Sequence, residues 1–340
     1  MEGKDKYPLI TVLMPCFNAE KYVEQAVDSI LNQTYSNLEV LCIDDGSQDE
    51  TLVILERLKK KDARLRIIRN EQNLKLITTL NKGLKLAKGD YIARMDADDI
   101  SYPHRIKLLY GFLINNNLDL ASCNVDFLNM NGKRLGENYL KCHSQEEIEL
   151  SSYFFTPIAH AAILVRKDVM MNHFYSTNEE ALHVEDYELW TRMIRNGIKM
   201  SNLSDVLYSV RINDESVSSK FEHLQRSNFV KCGLEHQGSI LGYEPEIKHA
   251  RIAMNRINNA SLSDMKKGFE LIDEVYKKFC NGKESSQLRL IIILHKIDIL
   301  INTIKLLNLV SKTWAVFKIS GIIISNFGKS GVRSYLRHKL

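Results

Sequence analysis

The sequence predicts an α/β fold, a Rossmann-like mixed sheet flanked by helices and followed by a helical C-terminal extension. Three observations carry this reading. Apolar runs alternate with amphipathic stretches over roughly the first hundred residues, as strand–helix units of a parallel sheet require. Acidic clusters stand where two of those runs end, at Asp44-Asp45 and at Asp96-Ala97-Asp98-Asp99. From about Phe221 the pattern changes to long helical stretches, which sets a boundary near Lys220 and divides the chain into 1–220 and 221–340.

Taken in order, Leu9–Met14 reads as a first buried strand. Asn18 is expected to cap the helix that follows, in which Tyr22, Val23, Ala26, Val27, Ile30 and Leu31 form one apolar stripe. Glu39–Ile43 is a second strand and Thr51–Lys60 a second helix; Leu65–Ile68 and Thr78–Ala87 repeat the scheme, and Tyr91–Met95 is a strand running into the second acidic cluster. Beyond Pro103 a helix to about Asn115 is expected, then strands around Leu120–Leu128 with a turn at Asn131-Gly132. His160–Val165 reads as a further strand, Asp186–Arg195 as a helix and Leu207–Val210 as a last strand. The helical remainder includes Leu288–Val310 and Trp314–Ser325; charges interrupt the former, so it reads as packed or interfacial and not as membrane-spanning.

Composition narrows the function classes. The 340 residues are 44% hydrophobic and 26% charged, ordinary for a soluble globular chain. The six cysteines form no C-x-x-C pair, which disfavours a zinc site or redox dithiol. The amino terminus resembles neither a signal peptide nor a spanning helix, so a cytoplasmic location is expected. The net charge of +4 is uneven: from Lys231 onward 18 Lys or Arg face 9 Asp or Glu, leaving residues 1–230 at −5. An acidic front half disfavours nucleic acid as the ligand.

The carboxylates carry the chemistry. In open α/β sheets the carboxyl ends of strands border the ligand crevice. Hard cations such as Mg²⁺ or Mn²⁺ take oxygen ligands and keep waters, so one or two carboxylates plus diphosphate oxygens suffice. In an extended segment Asp96 and Asp98 would face one side while Ala97 points elsewhere. Glu185-Asp186 opens a helix about ninety residues further on, where acids also simply favour the positive helix end.

Four ordered motifs give the sequence a resemblance to the inverting family-2 glycosyltransferases: residues 12–19 (VLMPCFNA), 29–35 (SILNQTY), 43–51 (IDDGSQDET) and 89–99 (GDYIARMDADD). The resemblance covers roughly residues 8–220 and implies a GT-A fold with a nucleotide-activated sugar as donor. It places Pro15, Phe17, Asn18 and Asp45 in a uracil pocket, where a carboxylate accepts the base N3–H and uridine diphosphate is the expected carrier. It places Asp96 near the ribose and the metal's water shell, Asp98 as the direct ligand of Mn²⁺ or Mg²⁺, and Asp186 as the catalytic base. Asn81 is expected to order the donor pocket, His160 to lie near the sugar or phosphates, and Arg211 to clamp the diphosphate. Two departures stand out: Asn213 where the family usually has histidine, and Lys75 at or beside a position where glycine is common.

The implied activity is transfer of a hexose or N-acetylhexosamine from a UDP-sugar to a hydroxyl of a glycan or lipid-linked glycan in bacterial polysaccharide assembly. A sugar nucleotidyltransferase would need a glycine-rich, Arg-containing loop after the first strand, where this chain has Pro15-Cys16-Phe17-Asn18. A non-catalytic nucleotide-sugar-binding scaffold would tolerate loss of Asp186, which is present. After Asp298 seven basic residues and no acids accompany Trp314, Phe317 and Ile322–Ile324, which suits either peripheral contact with the inner face of an anionic membrane or a helical cap or homodimer contact.

Overall fold

A computed structural model describes residues 7–138, 142–212, 221–257 and 260–306. The chain divides into two compact units, Met1–Ser152 with Thr156–Cys232, and Tyr153–Phe155 with Gly233–Leu340.

The first unit is built on one mixed sheet of nine strands among the described residues. Its first half alternates β1 (Ile10–Cys16), α1 (Val23–Leu31), β2 (Leu38–Asp44), α2 (Thr51–Lys59), β3 (Leu65–Arg69), α3 (Leu76–Leu86) and β4 (Tyr91–Arg94). Then come β5 (Ile100–Ser101), α4 (Arg105–Asn115), β6 (Leu120–Leu128), β7 (Arg134–Asn138) and α5 (Gln145–Ser152). A 3₁₀ turn (His160–Ala162) leads to β8 (Leu164–Arg166), α6 (Lys167–Asn172), α7 (Glu185–Arg195) and β9 (Met200–Arg211). The spatial order is β3-β2-β1-β4-β8-β6-β9-β5, with β7 added on β6. Strands β1 to β4 are mutually parallel, β8 is antiparallel to β4 and β6, and β6 runs parallel to β9.

Burial explains the pattern of the central strands. Every residue of β2 is buried and β1 is nearly so, because helices cover both faces of a parallel sheet and leave no solvent side to alternate with. Val23, Ala26, Val27 and Ile30 form the buried stripe of α1. Helix α3 approaches the sheet closely at Gly83, where a Cβ would stand 2.3 Å from Leu13 Cδ1 and 2.9 Å from Ile43 Cδ1. A larger side chain there would require the ends of the Leu13 and Ile43 side chains to move.

The structure corrects several sequence expectations. Asn18 does not cap α1, which starts at Val23 with Tyr22 before it and no side-chain cap. His160–Val165 is not one strand: its first three residues form a 3₁₀ turn, and only Leu164–Arg166 pairs into the sheet. The Asp96–Asp99 segment lies beyond the end of β4 in a turn, not in extended backbone. Ala97 is nonetheless buried while Asp96 and Asp98 keep partial exposure, so the two carboxylates still part from the residue between them.

The second unit is helical. It contains the later part of α8 (Glu222–Leu241), then α9 (Ile247–Ala253), α10 (Leu262–Cys280) and α11 (Ser286–Leu306). Helix α10 begins with a reciprocal capping box between Ser261 and Asp264 and ends at Asn281 in left-handed backbone. Buried Leu288, Ile291, Ile292, Ile297, Ile299 and Leu300 account for the interrupted apolar run of α11 as packed helix. Tyr153 stacks on His236 with ring centroids 4.2 Å apart, and His295 Nε2 donates to the Ala253 carbonyl at 2.6 Å. Among the described residues no helix is long and apolar enough to cross a membrane. Asn213 and the basic segment carrying Trp314, Phe317 and Ile322–Ile324 lie outside the described residues.

Candidate active site

The site grows from the carboxyl ends of β1, β2 and β4, which lie side by side because β1 pairs with both other strands. The loops after β1 and β2 are stapled together. Asp45 N–H donates to Cys16 O (2.8 Å), Asn18 N–H to Ser47 Oγ (3.0 Å), and Gln48 N–H to Asn18 Oδ1 (3.0 Å). Asn18 thus uses its left-handed backbone (φ 50°) and its amide oxygen to tie the two loops, a role that replaces the expected helix cap. Gly46 (φ 75°) lets this loop press on the Gln72–Asn73 backbone, where a Cβ would meet Gln72 C at 2.7 Å. Pro15, Phe17, Asn18 and Asp45 are therefore brought together, with Phe17 46% exposed beside the buried Asp45.

Asp45 is held from behind. Its Oδ1 accepts from Asn70 Nδ2 (2.7 Å) and from Leu74 N–H (2.9 Å). Lys75, one residue on, adopts φ 72° and ψ 161°, a backbone region that favours glycine and explains why glycine suits this place. Its side chain is exposed.

The second cluster follows β4. Arg94 is buried and pairs with the Asp96 carboxylate. Asp96 N–H donates to Tyr208 Oη at 3.1 Å. Burial and the neighbouring Asp96 charge push Asp98 up to about 6, with Arg94 and Arg211 offsetting only part of it. Burial, with Asp96 and Asp98, likewise holds Asp99 well above the usual carboxylate range. A set of partly desolvated carboxylates short of cationic compensation is a donor set that suits a hard divalent cation. Among the described residues no group of three or more His, Cys, Asp or Glu is arranged to hold a metal.

The two clusters share one end of the sheet. The Cys16 thiol, where β1 ends, is pushed well up by its bond with Cys42, by burial, and by the charges of Asp44 and Asp96. Glu185 and Asp186 at the start of α7 reach the same region. Burial, then Asp186 and, more weakly, Asp96, push Glu185 up to about 7. Burial raises Asp186 as well, opposed by the Tyr187 N–H (2.7 Å from Oδ1) and by the Arg94 guanidinium. Arg94 therefore acts on the carboxylates of both motifs.

Three residues given no role from the sequence, Arg94, Arg105 and Tyr175, order this arrangement. Arg105 is fully buried; its Nη2 donates to the carbonyls of Arg94 (2.7 Å), Ala161 (3.0 Å) and Ile163 (3.3 Å), fixing the end of β4 against the 3₁₀ turn. Tyr175 bonds His160 Nε2 through its hydroxyl at 2.8 Å. Asn81 clasps the Tyr175 backbone with both halves of its amide. Burial, with Arg94 nearby, holds His160 far below its ordinary value, so the ring is neutral and turned to Tyr175. Arg94 could have been sought as the inward residue two before Asp96; Tyr175 and Arg105 carry no local signal.

Arg211, expected at the diphosphate, stands against the acidic turn. Its guanidinium donates to Asp98 O (2.8 Å), Asn129 O (3.1 Å) and Gln25 Oε1 (3.1 Å) and lies over the Tyr22 ring at 4.4 Å. Its N–H donates to Asp99 Oδ1 at 2.7 Å. It is a buried strut for the acidic turn.

The chain is similar to known proteins over most of its length. The family described as Glycosyl transferase family 2 matches residues 11–174. An uncharacterized glycosyltransferase of Haemophilus influenzae is 33% identical over 239 residues, 67% of this chain and 73% of its own. The chain belongs to glycosyltransferase family 2. A second relative of this family-2 enzyme is the Escherichia coli UDP-Glc:alpha-D-GlcNAc-diphosphoundecaprenol beta-1,3-glucosyltransferase WfgD, 29% identical over 220 residues, 64% of this chain and 83% of its own. Among solved structures, S. aureus TarS 1-349 in complex with UDP-GlcNAc superposes with a TM-score of 0.55 at 18% identity, covering 97% of this chain and 92% of that one. The family-2 sheet described above is thus a GT-A fold, and the protein is a glycosyltransferase.

Proposed function

We propose that the enzyme is an inverting glycosyltransferase that moves a hexose or N-acetylhexosamine from a UDP-sugar to a hydroxyl of a glycan or lipid-linked glycan in bacterial polysaccharide assembly. The observation that carries this reading is the common reach of Arg94, which pairs with Asp96 and also acts on Asp98, Glu185 and Asp186. In this reading the donor-site and base carboxylates share one cleft. The names of WfgD and of the TarS complex, both with uridine diphosphate sugars, support the donor class.

In this reading the uracil lies between the Pro15–Asn18 loop and Asp45, with Phe17 beside it and the base N3–H donating to the carboxylate. Asp96 faces the ribose, and Asp98 with Asp96 holds Mn²⁺ or Mg²⁺. When bound, the cation neutralises charge on the departing diphosphate. Asp186 removes the proton of the acceptor hydroxyl on the opposite face of the sugar, and a carboxyl raised by burial is better matched to that task than an ordinary one. Neutral His160 and Tyr175 shape the wall beside α7 without adding charge. Residues 1–220 serve as the donor-binding catalytic region and 221–340 as the acceptor, membrane-surface or dimer contact.

The test is transfer and UDP binding measured on Asp186→Asn and Asp98→Ala across a panel of nucleotide sugars with Mn²⁺. Asp186→Asn is expected to bind UDP as the wild type does while transfer falls by about 10²–10⁴. Asp98→Ala is expected to lose the metal-supported part of the rate. Undiminished transfer in the Asp186 variant removes it as the base.

A further inference from the structure

Helix α3 carries two neighbouring residues that serve opposite parts of the site. Asn81 turns to Tyr175, whereas Lys82 turns to the back of the Asp45 pocket. Lys82 Nζ donates to Asn70 Oδ1 at 2.5 Å, and Asn70 Nδ2 in turn donates to Asp45 Oδ1 at 2.7 Å and to Thr79 Oγ1 at 3.1 Å. Asn70 is 2% exposed and Thr79 is fully buried. Thr79 and Lys82 are three apart on the helix and so share the face that grips the amide.

The direction of this chain of bonds is set at its far end. An asparagine amide can present either its oxygen or its nitrogen, whereas an ammonium only donates. With Lys82 present, Asn70 must offer Oδ1 to it and turn its NH₂ toward Asp45. A flipped amide would set Asn70 Oδ1 against Asp45 Oδ1 and break two bonds. Leu74 N–H is the second donor to the same oxygen, so Oδ1 is saturated by the chain. Both of these bonds fall on Oδ1, which leaves Oδ2 as the acceptor for a ligand.

We propose that Lys82 is a positioning residue for nucleobase selection, fixing Asn70 so that Asp45 presents one oriented acceptor to the base. This rests on the reading that Asp45 meets the uracil. An oriented acceptor favours uracil, which has a donor at N3, over cytosine, which has an acceptor there.

The experiment is calorimetric binding of UDP and CDP, with Mn²⁺, to the full chain and its variants. Lys82→Met is expected to weaken UDP by roughly tenfold, the loss of about one charge-supported hydrogen bond, and CDP by less than about threefold. Lys82→Arg keeps a group that only donates and is expected to restore the UDP preference. Lys82→Gln, which retains a long polar side chain, is measured alongside should the Met variant fold poorly, and a lowered UDP to CDP ratio is expected there too. Asp45→Asn separates the two ideas. If it leaves the UDP to CDP ratio intact, the base-pocket reading itself fails. If it collapses the ratio while the Lys82 variants keep it, or weaken both nucleotides equally, Lys82 is merely structural and the proposal is overturned.

Discussion

Asn81 and Tyr175 form a closed pair: Asn81 Nδ2 donates to Tyr175 O at 2.8 Å and Tyr175 N–H donates to Asn81 Oδ1 at 3.0 Å. Ninety-four residues of chain separate them, and the pair fixes the ring that bonds His160. Asn81→Ala should destabilise the fold by about 2 kcal/mol, one increment per bond, and Asn81→Asp by at least as much, because a carboxylate oxygen would stand where the amide donates to the Tyr175 carbonyl. Urea denaturation checks this. Equal stability of all three proteins would mean the pair does not form in solution.

Glu185 gives a pH signature with a definite sign. Its carboxyl stands at about 7 in the folded chain against an ordinary 4.5, mainly through burial and Asp186. Between those values the folded protein holds the proton more strongly than the unfolded chain does. Stability therefore falls as pH rises from about 4.5 to about 7 and stays lower above. Glu185→Gln should be more stable than wild type at pH 8 by up to about 3 kcal/mol, the gap closing toward pH 4. Denaturation series in metal-free buffer at several pH values test it, and a gap independent of pH would refute the assignment.

Arg211 distinguishes a strut from a ligand clamp. Arg211→Met should cost about 3 kcal/mol through its lost bonds to Asp98, Asn129 and Gln25, and Arg211→Lys should recover little because an ammonium cannot reproduce the fork. Should Arg211→Lys keep full thermal stability but lose UDP affinity tenfold or more, the clamp role and not the strut would account for the residue.

Lys75 is strained by its backbone, so Lys75→Gly should stabilise the protein by about 1 kcal/mol after the added freedom of the unfolded chain is counted. UDP affinity should not change, since the Lys75 side chain faces water. A lower urea midpoint for the glycine variant would show that the conformation is not strained.

Elements long enough to repeat a period were legible. The β1 to β4 alternation and α7 follow from apolar spacing over nine or more residues or from full burial of a short run. Short elements were not: β5, α6 and the 3₁₀ turn at His160 span two to six residues and complete no period. The run His160–Val165 read as strand because Ala161 and Ala162 are buried in either conformation.

By itself the sequence determined the strand–helix alternation and the acids at strand ends, because periodicity and turn chemistry are properties of near neighbours. It also carried the motifs that mark a family-2 glycosyltransferase. Only the tertiary structure decided which way those side chains face. Arg211 turns inward as a strut, His160 is neutral against Tyr175, and Asn18 ties two loops where a helix cap was expected. The reason is that a polar group takes its partners from whatever distant backbone and side chains folding sets beside it, and sequence spacing does not encode those partners.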